Sequence, residues 1–174
     1  MAEVIPGKMT ARIDGDFVVF LIGMRINNFF KFGQWLPVAR AMGPMIEELT
    51  RAPDLGLLHA RTHFGMRNIM VVQYWRSFDH LRGYATGGDH LHLKAWRDFN
   101  KAVAASAGND AVGIWHETYL VGAGQYETLY TNMPPYGLGA FAELGPAKSR
   151  LNSAAGRLGR TDGSDQPEGR DRRR

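Results

Sequence analysis

Cysteine is absent from this chain of 174 residues, which excludes disulfides, thiolate nucleophiles and zinc–thiolate centres. Long hydrophobic runs are absent as well. The longest, Phe17 to Met24, falls far short of the roughly 20 residues that span a bilayer, and no cationic stretch with an apolar segment and cleavage site opens the chain. No membrane partner is expected, and a cytoplasmic location follows by default. A glycine-rich nucleotide loop is also missing, because Gly137-Leu138-Gly139 lacks the following helix and acidic partner that NAD, FAD or ATP binding requires. A concentrated basic face is missing too. The formal charge is +4, but the segment from Arg157 to Arg174 carries six arginines against four acids and supplies +2 of it. The remainder is nearly neutral, so nucleic acid is not an expected partner.

What is present suits one globular domain with a real core: 44% of residues are hydrophobic and 22% charged. Residues 1–15 read as an irregular N-terminal segment. Asp16 to Ile26 is apolar without alternation until Arg25, the pattern of a strand buried on both faces. A helix follows to about Thr50 with an inner stripe of Val38, Met42, Met45, Ile46 and Leu49, and Pro44 is expected to kink it. Leu55 to His63 alternates and predicts a half-exposed or edge strand, joined through Gly65–Asn68 to a third strand, Ile69 to Arg76. Ser77 is placed to cap a helix, and Asp89 a longer one with the stripe Ala95, Trp96, Phe99 and Val103. Ala111 to Val121 reads as a fourth strand and Tyr126 to Tyr130 as a short fifth. From 147 to 174 apolar residues nearly vanish, which predicts a disordered, Arg-rich tail.

Strand, helix, strand, strand, helix, strand is the ferredoxin-like split βαβ order: an α+β fold with a four-stranded antiparallel sheet and helices on one face, here over residues 16–146. The first and third strands are apolar on both sides, yet the chain has helix enough for one. A homodimer that stacks two sheets into a dimeric α/β barrel resolves this, leaving a pocket between sheet and helices.

The unit from Ile69 to Phe99 gathers Tyr74, Trp75, Arg76, Tyr84, His90 and Trp96 around a strand end, a mixture suited to a small planar ligand. Tyr74-Trp75-Arg76-Ser77 with Leu81, Tyr84 and His90 resembles the dimeric α/β-barrel superfamily, which includes the antibiotic biosynthesis monooxygenases and the haem-degrading monooxygenases. More specifically, Val18 to Asn27, Gly113 to Tyr119 and Tyr130 to Pro134 resemble the DUF4188 family, also described as monooxygenase-like, over roughly Met9 to Leu138. The resemblance implies a monooxygenase-like oxidoreductase acting on an aromatic or polyketide- or terpenoid-type molecule, as in secondary metabolism. The iron ligand of the haem-degrading branch falls where this chain has Lys94, Ala95 or Trp96, with His90 and His92 earlier, so that haem geometry is not matched.

The candidate catalytic residues are His90 and His116 as bases, with Asn27 and Arg25 at the end of the first long strand as stabilisers of an oxyanion or peroxide. His90 follows an Asp cap in a helix's first turn, where the dipole favours a neutral ring. His116 is equally readable as a hydrogen-bonded core histidine, and Arg25 as the partner of Glu117. The candidate substrate-binding residues are Trp75, Tyr84, Trp96, Tyr119 and Tyr74, each also a plausible core or interface aromatic. His59 and His63 share a strand face with Arg61 but lack a third ligand, so no metal is expected. No cofactor is expected, since an activated phenol or ketone deprotonated by a base can itself reduce dioxygen. Two alternatives stay open: a haem enzyme or carrier with His90, His92 or His116 on iron, related to the haem-degrading or aldoxime-dehydratase type, and a non-catalytic module that binds a hydrophobic metabolite.

Overall fold

The computed structural model describes residues 3–87 and 110–161, and the chain divides into two compact units. One comprises Phe17–Leu120; the other joins Met1–Asp16 to Val121–Arg174. The first contains strands β2 (Phe17–Ile26), β3 (Leu57–Phe64), β4 (Asn68–Trp75) and β5 (Val112–Val121, its last residue past the boundary), with helices α1 (Phe32–Arg51) and α2 (Phe78–Thr86). The strand order is β3-β4-β2-β5. Crossing from β2 over α1 to a hairpin and back over α2 to the far edge gives the ferredoxin-like arrangement that the element order predicts.

Each element follows from local chemistry. Val and Ile fill β2 and favour the pleated backbone. Gly65 to Arg67 closes the β3–β4 hairpin, where Gly65 N–H donates to the Asn68 carbonyl at 2.8 Å. Ser77 caps α2 as expected, its hydroxyl accepting from the His80 amide. Gly56 adopts a left-handed backbone (φ 89°) against the His80 side chain, a position closed to any residue with a Cβ.

Alternation along the strands gives the sheet two faces. Val18, Val71 and Trp75 lie beneath the helices, where Val18 and Trp75 meet Leu49 of α1 and Leu81 and Tyr84 of α2. A second cluster joins Met24, Ile26 and Val112 to Trp35 and Val38 of α1. Gly23 falls on the other face, where the Trp115 ring lies so close that a Cβ would stand 2.7 Å from it.

The second unit corrects the reading of both chain ends. Residues 1–15 are not an irregular segment throughout, because Ile5–Arg12 forms β1. It is the central strand of a three-stranded sheet, order β6-β1-β7, between β6 (Tyr130–Met133) and β7 (Glu143–Pro146). The fifth strand expected at Tyr126–Tyr130 starts where that expectation ended, since the hydroxyls of Thr128 and Tyr126 bond to the backbone of Ala11 in β1 and of Ile13 just past it in place of a ladder. The ferredoxin-like elements end with β5 rather than at 146. Beyond residue 147 the chain forms a 3-10 turn (Ser149–Asn152) and a short helix (Ala154–Arg157), fixed by Arg157 pairing with Glu127 at 2.6 Å. Residues 162–174 and the expected helix after Asp89 lie outside the described residues. Among the described residues no helix is long and apolar enough to cross a membrane.

Candidate functional site

On the helix side of the sheet, two of the expected pocket residues belong to the core. Trp75 has no exposed surface; its Nε1–H donates to Gln73 Oε1 at 2.8 Å and its ring centre lies 5.9 Å from that of Tyr84. Tyr84 is also buried, and its hydroxyl donates to Glu48 Oε2 at 2.8 Å. Burial, together with the Glu48 carboxylate, raises this phenol well above its ordinary pKa, so it stays a proton donor at any physiological pH. These rings pack the helices onto the sheet and present no open surface to a ligand.

His116 stands differently. It shares the helix side with Phe20, whose ring centre is 5.7 Å away, and its neighbours on that side, Ile114 and Thr118, are exposed with it. Over β4 and the start of β2 the space is filled by Trp75 and Tyr84. Along β5, among the described residues, Ile114, His116 and Thr118 are exposed. The result is an imidazole beside an aromatic ring on an accessible shelf, a group able to take or give a proton next to a flat apolar surface.

The other expected residues do not converge on His116. The Asn27 amide donates to the Ala111 carbonyl at 2.8 Å, and Trp115 lies over Gly23, so β2 and β5 run antiparallel with a fixed register. That register puts Asn27 five residues from His116 along β5, about 16 Å at the usual rise per residue. Arg25 is exposed and projects from the opposite face. The same register corrects the expected Arg25–Glu117 ion pair, because the two positions are offset by four residues, roughly 13 Å. Glu117 instead accepts a 2.6 Å hydrogen bond from Tyr119, and that carboxylate raises the Tyr119 phenol pKa.

The opposite face carries a second group of titratable side chains. Tyr74 sits between Phe17 and His59, with ring centres 6.4 Å from each, and Arg61 and His63 follow His59 along β3. Burial, then the Arg61 charge, lowers the His59 pKa and favours its neutral ring. Among the described residues no three metal-ligating side chains come together. His90 and Trp96 lie outside the described residues.

Sequence reasoning missed three contacts that shape the site: Gln73 beneath the Trp75 indole, Trp115 over Gly23, and Arg67, whose Nη1 donates to the carbonyls of Ile26 and Asn27 at 3.1 and 3.2 Å. The lone glycine in an apolar strand signals the second of these. Nothing local signals the other two.

Comparison with known proteins is consistent with this geometry. The chain is 29% identical over 161 aligned positions to Monooxygenase af470 of Aspergillus fumigatus, covering 80% of this chain and 55% of the fungal protein. It therefore spans about half the length of that relative. Among solved structures it superposes on an aldoxime dehydratase co-crystallised with butyraldoxime, with a TM-score of 0.64 and 18% identity, over 82% of this chain and 44% of the dehydratase. That likeness is one of fold. Residues 17–138, which contain the whole ferredoxin-like arrangement and the His116 shelf, match the Monooxygenase af470-like family, and the chain belongs to it.

Proposed function

We propose that this protein is a monooxygenase-like enzyme that oxidises a hydrophobic aromatic or polyketide- or terpenoid-type molecule without an organic cofactor. The observation that carries the reading is the family match across residues 17–138, within which exposed His116 lies against Phe20 on the helix side. A flat substrate would rest on Phe20 and Ile114, with His116 taking its acidic proton. For an anthrone the chemistry balances without any added reductant. The carbanion gives its electrons to dioxygen and forms a C–O bond; loss of the second C–H proton then breaks the O–O bond, leaving a quinone and one water. His90 is the alternative base. Arg25 and Asn27 have no part in this site, because strand alternation puts both on the far side of the sheet, the Asn27 amide beside Gly113.

The half-buried apolar residues of the opposite face, Val19, Leu21, Met70 and Val72, support a homodimer formed through that face.

Oxygen uptake by the purified full chain, measured with a panel of anthrones and quinols, tests the reading. Turnover that falls at least about tenfold in His116→Asn, the usual scale of a lost general base, is the expected result. Failure of every substrate overturns it. Full activity in His116→Asn with loss in His90→Asn moves the base to His90. A Soret band in the purified chain, abolished by replacing one histidine, replaces the cofactor-free reading with a haem one.

A further inference from the structure

At one end of the ferredoxin-like unit the β2–α1 loop and the β3–β4 turn stand side by side. Arg67 braces them: besides its two bonds to β2 carbonyls, its guanidinium lies 4.7 Å over the Phe29 ring, and the Ile26 amide donates to the Arg67 carbonyl at 2.7 Å. Phe29 packs inward against the Met24–Ile26–Val112 cluster, its carbonyl accepting from the Trp35 indole at 3.1 Å. The next residue turns outward, since the Asn28 side chain accepts the Phe30 amide at 3.0 Å and fixes the loop.

Four large apolar side chains therefore face solvent from two adjoining turns and the ends of β3 and α1 beside them: Phe30 is 90% exposed, Met66 88%, Phe64 79% and Phe32 57%. One such residue would need no explanation. Four together present on the order of 500 Å² of largely apolar surface, as large as the biggest patch on a typical monomer. The charged residues within 25–32 and 64–68 are Arg25, Lys31 and Arg67, all cations. Among the described residues the one carboxylate paired with them is Asp110, 2.6 Å from Lys31.

We infer that this end of the molecule docks on an anionic lipid surface, with Phe30, Phe64 and Met66 entering the boundary between headgroups and acyl chains and exposed Arg25, beside Asn68, facing phosphates. Projecting apolar tips beside the exposed cations Arg25 and Arg67 fit that environment. The contact is with a surface, so it needs no spanning helix, and it does not depend on the oxygenase reading.

Co-sedimentation of the full chain with vesicles tests the inference, using phosphatidylcholine alone and phosphatidylcholine with about 30% phosphatidylserine. Binding to the anionic vesicles that weakens with salt, and that drops about tenfold or more in the double variant Phe30→Ser/Met66→Ser, is expected. Both replaced side chains are exposed, so the melting temperature of the variant should match that of the parent and serve as the folding control. No binding, equal binding to both vesicles, or unchanged binding by the double variant overturns the inference. Self-association of the parent that disappears in the double variant overturns it as well, and assigns the patch to a protein contact.

Discussion

In the ferredoxin-like unit Trp75 is fully buried, with Val71 and Leu49 nearly so, whereas among the described residues the buried apolar side chains of the three-stranded unit are Ala11, Leu138 and Ala147. The smaller unit makes up the difference with polar stitches across long stretches of sequence. Tyr126 Oη accepts the Ile13 amide at 2.6 Å and donates to the Ile13 carbonyl at 3.1 Å, Thr128 accepts from Ala11 at 2.7 Å, and Asn132 accepts from Gly7 at 2.8 Å. Arg157, with only 6% of its side chain exposed, bonds to Glu127 and to the carbonyls of Leu151 and Asn152. Apolar burial is non-directional and tolerates repacking, but a hydrogen-bonded charge in a dry site fails outright when one partner is removed. The two units should therefore break under different substitutions.

The largest effect is expected from Trp75→Ala. Removing a fully buried indole, its Tyr84 contact and the partner of Gln73 should cost about 3–5 kcal/mol. Denaturant unfolding measures it, and hydrogen exchange should show the loss spread over β2 to β5. A loss below about 1 kcal/mol would mean that the site collapses around the cavity. Next in size is Arg157→Met, which leaves Glu127 without its cation. Glu127 keeps some solvent, so the cost should be nearer 2 kcal/mol than the full penalty for a buried charge. Here the exchange protection of β1, β6 and β7 should fall while that of β2 and β4 persists. Uniform loss across both sheets would show one cooperative unit in place of two.

The smallest effect lies in the pH dependence of Tyr84. Its folded pKa is raised, so the native state holds the proton where the unfolded chain has begun to release it. The stabilisation is complete below about pH 10, the ordinary tyrosine value, and is lost as pH rises beyond it. Tyr84→Phe should flatten the fall in stability between about pH 9 and 11, which denaturant midpoints would reveal. An unchanged alkaline slope would assign the decline to other groups.

Where local pattern and tertiary contact agreed, the fold was legible. The unbroken apolar run of β2, the alternation of β3 and the Ser77 cap each report an interaction among residues close in sequence. β1 was not legible. In Ile-Pro-Gly-Lys-Met-Thr-Ala-Arg the alternation covers only Lys8 to Arg12 after the Pro6-Gly7 break, and the segment becomes a strand because β6 and β7, more than 100 residues later, pair with it on both sides. Site residues divide in the same way. Tyr84 was visible as an aromatic on a helix, but Glu48, 36 residues away, gives it a proton acceptor. Arg25 and Glu117 looked complementary, and only the β2–β5 register separates them.

Sequence alone settled the element order of the ferredoxin-like unit and the absence of thiol chemistry, because hydrophobic period, caps and residue inventory are properties of short segments. The tertiary structure decided which side of the sheet each aromatic occupies, separated His116 from Asn27 and Arg25, and drew the chain ends into a second sheet. Strand register and long-range pairing set these outcomes, and a shift of one residue would reverse the facing of every side chain on a strand.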